Sequence, residues 1–214
     1  MTHLCDLAIK YGTDKGPAYH NYTPTYFNMM CGTELLTRKV VEIGVMMGNS
    51  VKMWLDFFPD ASIYAIDKDP EAFARLSKTN HTQLRRVIRL WGDEEDPSLW
   101  DRIGSEVDYV IDDGSHIPEH QMRMFERNFW RLSTGGLWII EDTHCSFHVN
   151  FNGTAMGDDR LYPWLNKHIV AQQMGGGDTG NFYKAVEHLD SLSDLRAQIF
   201  GIRSYKSVIV FERA

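Results

Sequence analysis

The chain has little of what nucleic-acid-binding and membrane proteins have in abundance. Its 214 residues carry a net charge of −7 and contain no run of basic residues. A polyanion that is held mainly through its phosphates needs a basic surface, so a nucleic acid is excluded as the main partner. No apolar stretch approaches the roughly 20 residues that a membrane span needs. The composition therefore predicts a protein with neither a nucleic acid nor a membrane as partner.

Cysteine is also scarce. The three cysteines, Cys5, Cys31 and Cys145, are widely separated and lack metal-finger spacing, so we expect free thiols in a reducing compartment. Residues 1–6 show neither the basic nor the apolar region of a signal peptide, which favours a cytoplasmic location. An apolar fraction of 43% and a charged fraction of 24% are typical of globular proteins. The length predicts a single domain over residues 1–214.

Two phosphate-binding motifs are missing. The absence of Gly-Lys-Ser/Thr excludes a P-loop. Residues 42–48 (EIGVMMG) follow the first predicted strand and lack the Gly-x-Gly-x-x-Gly of dinucleotide folds. Methionines stand where small residues would let the backbone approach a pyrophosphate, and Glu42 would repel that pyrophosphate. A positively charged cofactor without phosphates, such as S-adenosylmethionine, fits this turn better.

The sequence does contain a regular alternation of apolar, β-favouring runs and helical patterns. Such alternation predicts a doubly wound, mostly parallel α/β sheet of seven strands, closed by a C-terminal antiparallel hairpin. The predicted strands cover residues 39–43, 62–66, 86–90, 109–111, 137–140, 197–202 and 207–211, and the glycines at 135–136 are expected to precede the fifth of them.

Every predicted parallel strand ends in acidic residues. They are Glu42, Asp67, Asp93, the pair Asp112 and Asp113, and the pair Glu141 and Asp142. Ligands of open α/β sheets bind at the carboxyl ends of the strands, so we expect these acids to line one edge. An acid at the position of Asp67 can accept hydrogen bonds from ribose hydroxyls, which S-adenosylmethionine and NAD share. Each acid taken singly could instead cap the helix that follows it.

The most informative stretch is residues 107–116 (VDYVIDDGSH), an apolar strand that runs into two carboxylates and a histidine. Carboxylates at the end of a buried strand need water, donors or a metal ion as partners. If the next strand lies alongside, Asp113, Glu141 and Asp142 emerge together with His116 above them. This predicts a site for a hard divalent ion beside a general base, since all-oxygen ligands favour Mg²⁺, Mn²⁺ or Ca²⁺.

Two other functions stay open on this evidence. His144 and His148 are four residues apart and near Asp142, which allows a non-haem iron oxidase-type enzyme. A cofactor-binding module without catalysis is the second alternative. The metal distinguishes the first from the carboxylate site, because iron would be held by histidines.

The alternation stops after Asp142. Residues 143–181 are irregular apart from one helical pattern at residues 162–173. A long irregular segment at the functional edge of a sheet is typical of a lid or substrate loop, so we expect this role here. Residues 1–36 are expected to form leading helices over the cofactor.

Four blocks of residues resemble the class I S-adenosylmethionine-dependent O-methyltransferases. The resemblance is to the metal-dependent family that methylates sugar hydroxyls of macrolides and related glycosylated natural products. The blocks are residues 11–16 (YGTDKG) with His20, Tyr22 and Tyr26, residues 41–50 with Trp54, residues 64–67 (YAID), and residues 112–116 (DDGSH) with residues 141–142.

This resemblance implies a complete set of roles. Asp113, Glu141 and Asp142 would hold Mg²⁺, with Mn²⁺ as the alternative ion, and His116 would be the general base. The residues that would bind S-adenosylmethionine are Tyr22, Glu42, Gly44, Gly48, Ser50, Asp67, Asp93 and Asp112. The acceptor would be a sugar hydroxyl on a glycosylated small molecule, with a phenol or catechol hydroxyl as the alternative. The resemblance also allows a homo-oligomer.

Overall fold

The computed structural model describes residues 1–153, 161–173 and 198–214. Contacts divide the chain into two compact units, Met1–Gly114 and Ser115–Ala214. Residues 143–181, which were expected to act as a lid or substrate loop, belong to the second unit, and residues 154–160 and 174–181 of them lie outside the described residues. Their expected role stays a prediction. The prediction of one domain over residues 1–214 stays a prediction.

The first unit is built on four parallel strands. They are β1 (Lys39–Ile43), β2 (Ser62–Asp67), β3 (Val87–Trp91) and β4 (Val107–Asp112), in the order β3-β2-β1-β4. β1 pairs with β2 on one side and with β4 on the other, so the chain reverses its direction of winding at β1. In an open α/β sheet, this switch point between β1 and β4 is where a crevice for a ligand opens.

Five helices accompany these strands. They are α1 (His3–Tyr11), α2 (Thr23–Met30), α3 (Asn49–Phe57), α4 (Pro70–Ser77) and α5 (Pro97–Ile103). α1 begins where the Thr2 side chain accepts the Cys5 N–H, and it ends at Gly12, whose φ of 67° suits glycine. α4 and α5 begin alike, because Asp69 and Asp96 cap them and a proline opens each first turn.

An aromatic stack fills the centre of the first unit. Trp54 of α3 stacks on Phe58 with 6.0 Å between ring centroids, and Phe58 stacks on Tyr109 of β4 at 5.3 Å. Tyr26 of α2 contacts Trp54 from the other side. These four rings are almost fully buried and hold α2 and α3 against the strands.

The second unit holds the remaining described elements. Its helices are α6 (Pro118–Asn128) and α7 (Leu161–Gln173), and its strands are β5 (Leu132–Ile140), β6 (Ile199–Tyr205) and β7 (Val208–Arg213). β7 pairs antiparallel with both β5 and β6. Phe125 of α6 lies at the centre of the core, with its ring centroid 4.2 Å from that of Phe211. The predicted C-terminal hairpin is therefore present.

One local prediction differs from the structure. Gly135 and Gly136 were expected to precede the fifth strand, but β5 begins at Leu132 and runs through both glycines. The register of β5 with β7 starts only at Leu137, so both glycines precede the part of the strand that pairs with β7. Gly135 is exposed and has a φ of 77°, which glycine adopts without strain, while Gly136 is buried. Within the described residues, no helix is long and apolar enough to span a membrane.

Candidate active site

A cavity of about 200 Å³ opens in the first unit at the turn that follows β1. Its lining combines this turn with the loop after α1 and with the residue that follows β4. The lining residues are Gly12, Thr13, Asp14, Gly44, Val45, Met46, Met47, Asn49, Ser50 and Asp113. Two of these residues are acidic and none is basic, and the lining keeps an excess of negative charge even with Lys15 paired to Asp113.

Asp67 shapes the turn through its carboxylate. Oδ2 accepts the backbone N–H groups of Val45 and Met46 at 2.8 and 3.1 Å, and Oδ1 accepts that of Asp69 at 2.8 Å. A carboxylate offers about four acceptor positions. Three of them are therefore occupied by the backbone, and Asp67 can accept about one further hydrogen bond from a ligand.

Gly44 is required by a close approach of two backbone segments. A Cβ on this residue would lie 2.1 Å from the carbonyl oxygen of Asp113, and its φ is 89°. The Asp113 N–H also donates to the carbonyl of Ile43 at 3.1 Å. Gly44 thus lets Asp113 sit directly beside the turn.

Gly48 has a different reason to be glycine. Its φ is 70°, and a Cβ there would lie 2.6 Å from Leu76 Cδ1 of α4. Gly48 therefore serves the packing of α4 against the turn. It does not line the cavity, whereas Ser50, two residues later, does.

Glu42 lies beneath the turn and is completely buried. No hydrogen bond of regular geometry from a described residue reaches either carboxylate oxygen. Burial raises the pKa of Glu42 to about 7, while the Lys15 ammonium and the nearby polar groups of Ser50 and Trp54 lower it in part. A cation that entered this region would stabilise the charged form of Glu42.

Lys15 is the functional candidate that the sequence did not single out. Its side chain is only 1% exposed, and Nζ donates to Asp113 Oδ2 at 2.5 Å. The backbone carbonyl of Lys15 accepts the N–H groups of Tyr22 and Thr23, which fixes the start of α2. Lysine is rarely buried unless it is paired, and the loop sequence alone does not reveal the pair. Lys15 occupies one oxygen of Asp113 and so orients this carboxylate.

Asp112 and Glu94 form a second acidic pair in the first unit. Asp112 is 2% exposed and Glu94 is 8% exposed. Burial is the main cause that raises the pKa of Asp112 to about 7, and the charge of Glu94 raises it further. Glu94 was not among the predicted site residues, because it follows the acid Asp93 that ends the preceding strand region.

The other predicted cofactor residues of the first unit lie apart from the cavity lining. Tyr22 is buried, and its ring stacks on His20 with 5.2 Å between centroids. Asp93 is exposed and accepts the N–H of Glu95 at 2.9 Å, which closes a local turn. The structure therefore brings Gly44, Ser50 and Asp113 together at the cavity, but not Tyr22 or Asp93.

In the second unit, a histidine faces a carboxylate. His116 Nε2 lies 3.9 Å from Asp142 Oδ2, and the two side chains are 22% and 15% exposed. Both residues have a left-handed backbone, with φ of 56° and 52°. Such a conformation costs energy in residues other than glycine and often marks a functional site. The ring of Phe151 meets His116 edge-on, at 5.8 Å between centroids.

Asp142 also faces His144, whose Nδ1 lies 3.9 Å from Asp142 Oδ1. His144 and His148 meet at right angles, with 6.2 Å between ring centroids. Glu141, the other predicted ligand, is 1% exposed, and its backbone carbonyl accepts the Gln121 amide at 3.0 Å. The Glu141 side chain is thus buried, whereas the Asp142 carboxylate lies near two imidazoles.

A larger cavity of about 380 Å³ lies elsewhere in the first unit, beside α1 and α3. Its carboxylate, Asp56, already accepts hydrogen bonds from Lys10, Tyr11 and His81 at 2.7, 2.5 and 3.0 Å. Because this carboxylate is taken up by three local donors, the cavity is a weaker candidate than the smaller one at the turn.

Comparison with known proteins first gives the class of the chain. Residues 41–143 match the model of a family described as a methyltransferase domain. The MycE methyltransferase from the mycinamycin biosynthetic pathway, solved in complex with Mg, SAH and mycinamycin VI, has a similar structure over 100% of this chain and 55% of its own. The TM-score is 0.79 and the identity is 28%. The predicted class I methyltransferase fold is therefore confirmed.

Individual relatives then indicate the kind of methyltransferase to which the chain is related. The 8-demethyl-8-alpha-L-rhamnosyl tetracenomycin-C 2'-O-methyltransferase of Streptomyces olivaceus is 34% identical over 178 residues, which are 78% of this chain and 44% of the relative. Mycinamicin VI 2''-O-methyltransferase of Micromonospora griseorubida is 33% identical over 162 residues, 71% of this chain and 39% of the relative. The chain thus carries a methyltransferase domain related to sugar O-methyltransferases, and the predicted resemblance is confirmed. It spans less than half the length of these relatives.

Proposed function

We propose that this chain transfers the methyl group of S-adenosylmethionine to a sugar hydroxyl of a glycosylated small molecule, in a reaction that depends on a divalent ion. The observation that carries the proposal is the cavity at the turn after β1, which has Asp14 and Asp113 in its lining and no basic residue. Such a lining disfavours a phosphate group. A sulfonium and an ammonium group suit such a lining, whereas a pyrophosphate does not.

The methyl donor would lie along the turn at the switch point between β1 and β4. Gly44, Ser50 and the buried Glu42 would hold its methionine end, since an ammonium group would compensate the carboxylate of Glu42. Asp67 would accept one ribose hydroxyl with the acceptor position that the backbone leaves open. Gly48 would act through the packing of α4. Tyr22, Asp93 and Asp112 remain proposed cofactor residues on the resemblance alone.

The donor set fits a hard divalent ion. Asp113, Glu141 and Asp142 are the proposed ligands of Mg²⁺ or Mn²⁺, and their oxygens are the ligand atoms that these ions prefer. In the first unit, the Lys15 ammonium orients the carboxylate of Asp113 through its hydrogen bond to Oδ2. When bound, the ion would orient an acceptor hydroxyl and lower its pKa.

His116 is the proposed general base. Its Nε2 would take the proton of the acceptor hydroxyl, and Asp142 at 3.9 Å would stabilise the imidazolium that results. The hydroxyl oxygen then forms a bond to the methyl carbon while the bond from that carbon to the sulfonium sulfur breaks. S-adenosylhomocysteine leaves as a neutral thioether, so charge and atoms balance. Positioning of the two reactants supplies most of the acceleration in such a displacement.

The acceptor is proposed from the relatives, whose names specify rhamnosyl and macrolide sugars. A homo-oligomer and a cytoplasmic location belong to the same proposal, and a phenol or catechol hydroxyl is the alternative acceptor. The oxidase-type alternative finds no support, because the relatives described above are methyltransferases.

The test is methyl transfer from labelled S-adenosylmethionine by the full chain, with rhamnosylated macrolides, their aglycones and simple catechols as acceptors. Each acceptor is assayed with Mg²⁺ and with excess EDTA. The proposal predicts label on the glycosides only, and only with the ion. Equal labelling of aglycones would contradict the sugar acceptor, and full activity in EDTA would contradict the role of the ion.

A further inference from the structure

The turn after β1 contains a backbone strain that the proposed cofactor residues do not account for. Met46 has a φ of 48°, the left-handed conformation that side chains other than glycine rarely adopt. Met46 is also 71% exposed, so packing of its side chain does not impose this conformation. Something else must hold it, because an exposed loop residue would otherwise relax.

Both peptide groups of Met46 are held by charged side chains. Its N–H donates to Asp67 Oδ2 at 3.1 Å, and its carbonyl accepts a hydrogen bond from Arg75 Nε at 2.9 Å. The same guanidinium donates to Asp69 Oδ2 at 2.8 Å. Asp69 is the N-cap of α4, so Arg75 ties the Met46 carbonyl to both ends of this helix.

The residue after Arg75 in α4, Leu76, also contacts the turn. Leu76 lies against Gly48 so closely that a Cβ on the glycine would be 2.6 Å away. Arg75 and Leu76 thus fix Met46 and Gly48, which flank Met47 in the turn. Met46 and Met47 both line the cavity that is proposed for the methyl donor.

We propose that Arg75 is a positioning residue for the methyl donor, acting by holding the Met46 carbonyl and with it the left-handed turn. This inference rests on the proposed function of the cavity. Arg75 does not line the cavity, so its effect passes through the turn. A fork of donors is needed, because Nε binds the carbonyl while a terminal nitrogen binds Asp69.

The first test is calorimetric binding of S-adenosylhomocysteine to the full chain. Arg75→Met should weaken binding roughly three- to tenfold, the usual effect of one lost hydrogen bond. Arg102→Met is the matched control, because Arg102 lies in the last turn of α5 as Arg75 lies in the last turn of α4. The Arg102 side chain is exposed, whereas that of Arg75 is only partly exposed. The control should bind as the unchanged protein does. Equal affinity of Arg75→Met and the unchanged protein would overturn the proposal.

A rescue separates positioning from a general loss of stability. Glycine adopts the left-handed conformation without strain, so Met46→Gly in the Arg75→Met background should recover most of the lost affinity. A double variant that binds no better than Arg75→Met would overturn the mechanism, even if Arg75→Met binds weakly. Met46→Gly alone gives the reference for any direct contact of the methionine side chain with the ligand.

Hydrogen exchange of the unliganded protein tests whether Arg75 holds the turn, independently of whether the cavity binds the methyl donor. The amides of residues 45–48 should exchange several-fold faster in Arg75→Met and at the original rate in Arg102→Met. If Arg75→Met exchanges faster but the unchanged protein does not bind S-adenosylhomocysteine, Arg75 holds the turn, and its assignment to the methyl donor is wrong. Unchanged exchange in Arg75→Met would show that Arg75 does not hold the turn.

Discussion

The carboxylates at the turn after β1 and at the strand end after β5 differ in the groups that surround them. Asp67 is committed to three backbone N–H groups at 2.8 to 3.1 Å. Asp142 instead lies 3.9 Å from a ring nitrogen of His116 and of His144. Bonds to backbone N–H groups preserve the shape of a turn, whereas imidazoles can exchange protons near neutral pH. The proposed function therefore gives the cofactor to the first region and the proton transfer to the second.

The strongest way to break this comparison is to neutralise Asp142. Asp142→Asn should reduce turnover to the level seen in excess EDTA, because the proposed ion loses a charged ligand. Binding of S-adenosylhomocysteine should change little, since the turn after β1 is untouched. Turnover and calorimetry check the two expectations. Asp101→Asn, at an exposed position of α5, is the matched control and should keep its turnover. Substantial turnover in Asp142→Asn would contradict the assignment.

The second largest effect is expected at His116. His116→Ala should lower turnover roughly 10²–10⁴-fold, the range for a positioned base, while metal and cofactor affinities persist. The remaining activity should rise with pH as hydroxide replaces the imidazole. A pH–rate profile and a Mn²⁺ titration of both proteins measure this. Loss of Mn²⁺ binding would make His116 a ligand, and an unchanged rate would leave it no catalytic role.

The third prediction concerns Asp67, the carboxylate at the turn after β1. Asp67→Ala should weaken binding of S-adenosylmethionine by roughly 1.5–3 kcal/mol, because the turn and a ribose hydroxyl both lose a charged acceptor. Binding of a 2′,3′-dideoxy analogue separates the two causes. The part due to the turn should persist with the analogue, and the part due to the ribose should not. Unchanged affinity for the natural cofactor in a folded variant would refute both.

The smallest effect is a pH dependence of stability that originates at Glu42. The folded-state pKa of about 7 lies above the ordinary value of 4.5, so the folded protein binds the proton more tightly than the unfolded chain. This contribution is fully present below about pH 4.5 and is lost as the pH rises through about 7. Between pH ~5.5 and ~8, the free energy of unfolding should fall by on the order of 1–2 kcal/mol.

Urea denaturation of the unliganded protein at several pH values measures this loss. Glu42→Gln should lack that part of the slope, while the exposed Glu71→Gln should keep it. Asp112 contributes with the same sign, because burial raises its pKa as well, so only the difference between variant and unchanged protein reports on Glu42. Parallel curves for Glu42→Gln and the unchanged protein would contradict the buried carboxylate.

Much of the fold could be predicted because its signals are local. Apolar runs that alternate with helical patterns predicted the strands. The predicted start of β5 was wrong, because two successive glycines usually indicate a break and no local signal shows that the strand begins at Leu132. The resemblance in residues 41–50 and 112–116 correctly indicated the methyltransferase fold.

The candidate site was predicted only in part, because its details depend on tertiary contacts. The acids at the strand ends were recognisable, but not that Asp67 is taken up by the backbone or that Glu42 is sealed beneath the turn. The burial of Lys15 depends on Asp113, a partner 98 residues away. Arg75 was overlooked for the same reason, because its hydrogen bond to the Met46 carbonyl joins residues 29 positions apart and nothing in the sequence around Arg75 indicates it. The ligand and base assignments of Asp113, Glu141, Asp142 and His116 stay predictions.

The most direct test of the central claim is a calorimetric comparison of S-adenosylmethionine and NAD with the full chain in EDTA. We expect S-adenosylmethionine to bind at the turn after β1 and NAD not to bind there. The excess negative charge of the lining disfavours a pyrophosphate, and Met46 and Met47 stand where its binding would need small residues. Binding should weaken in Asp67→Ala. Comparable binding of NAD, or no binding of S-adenosylmethionine, would contradict the account.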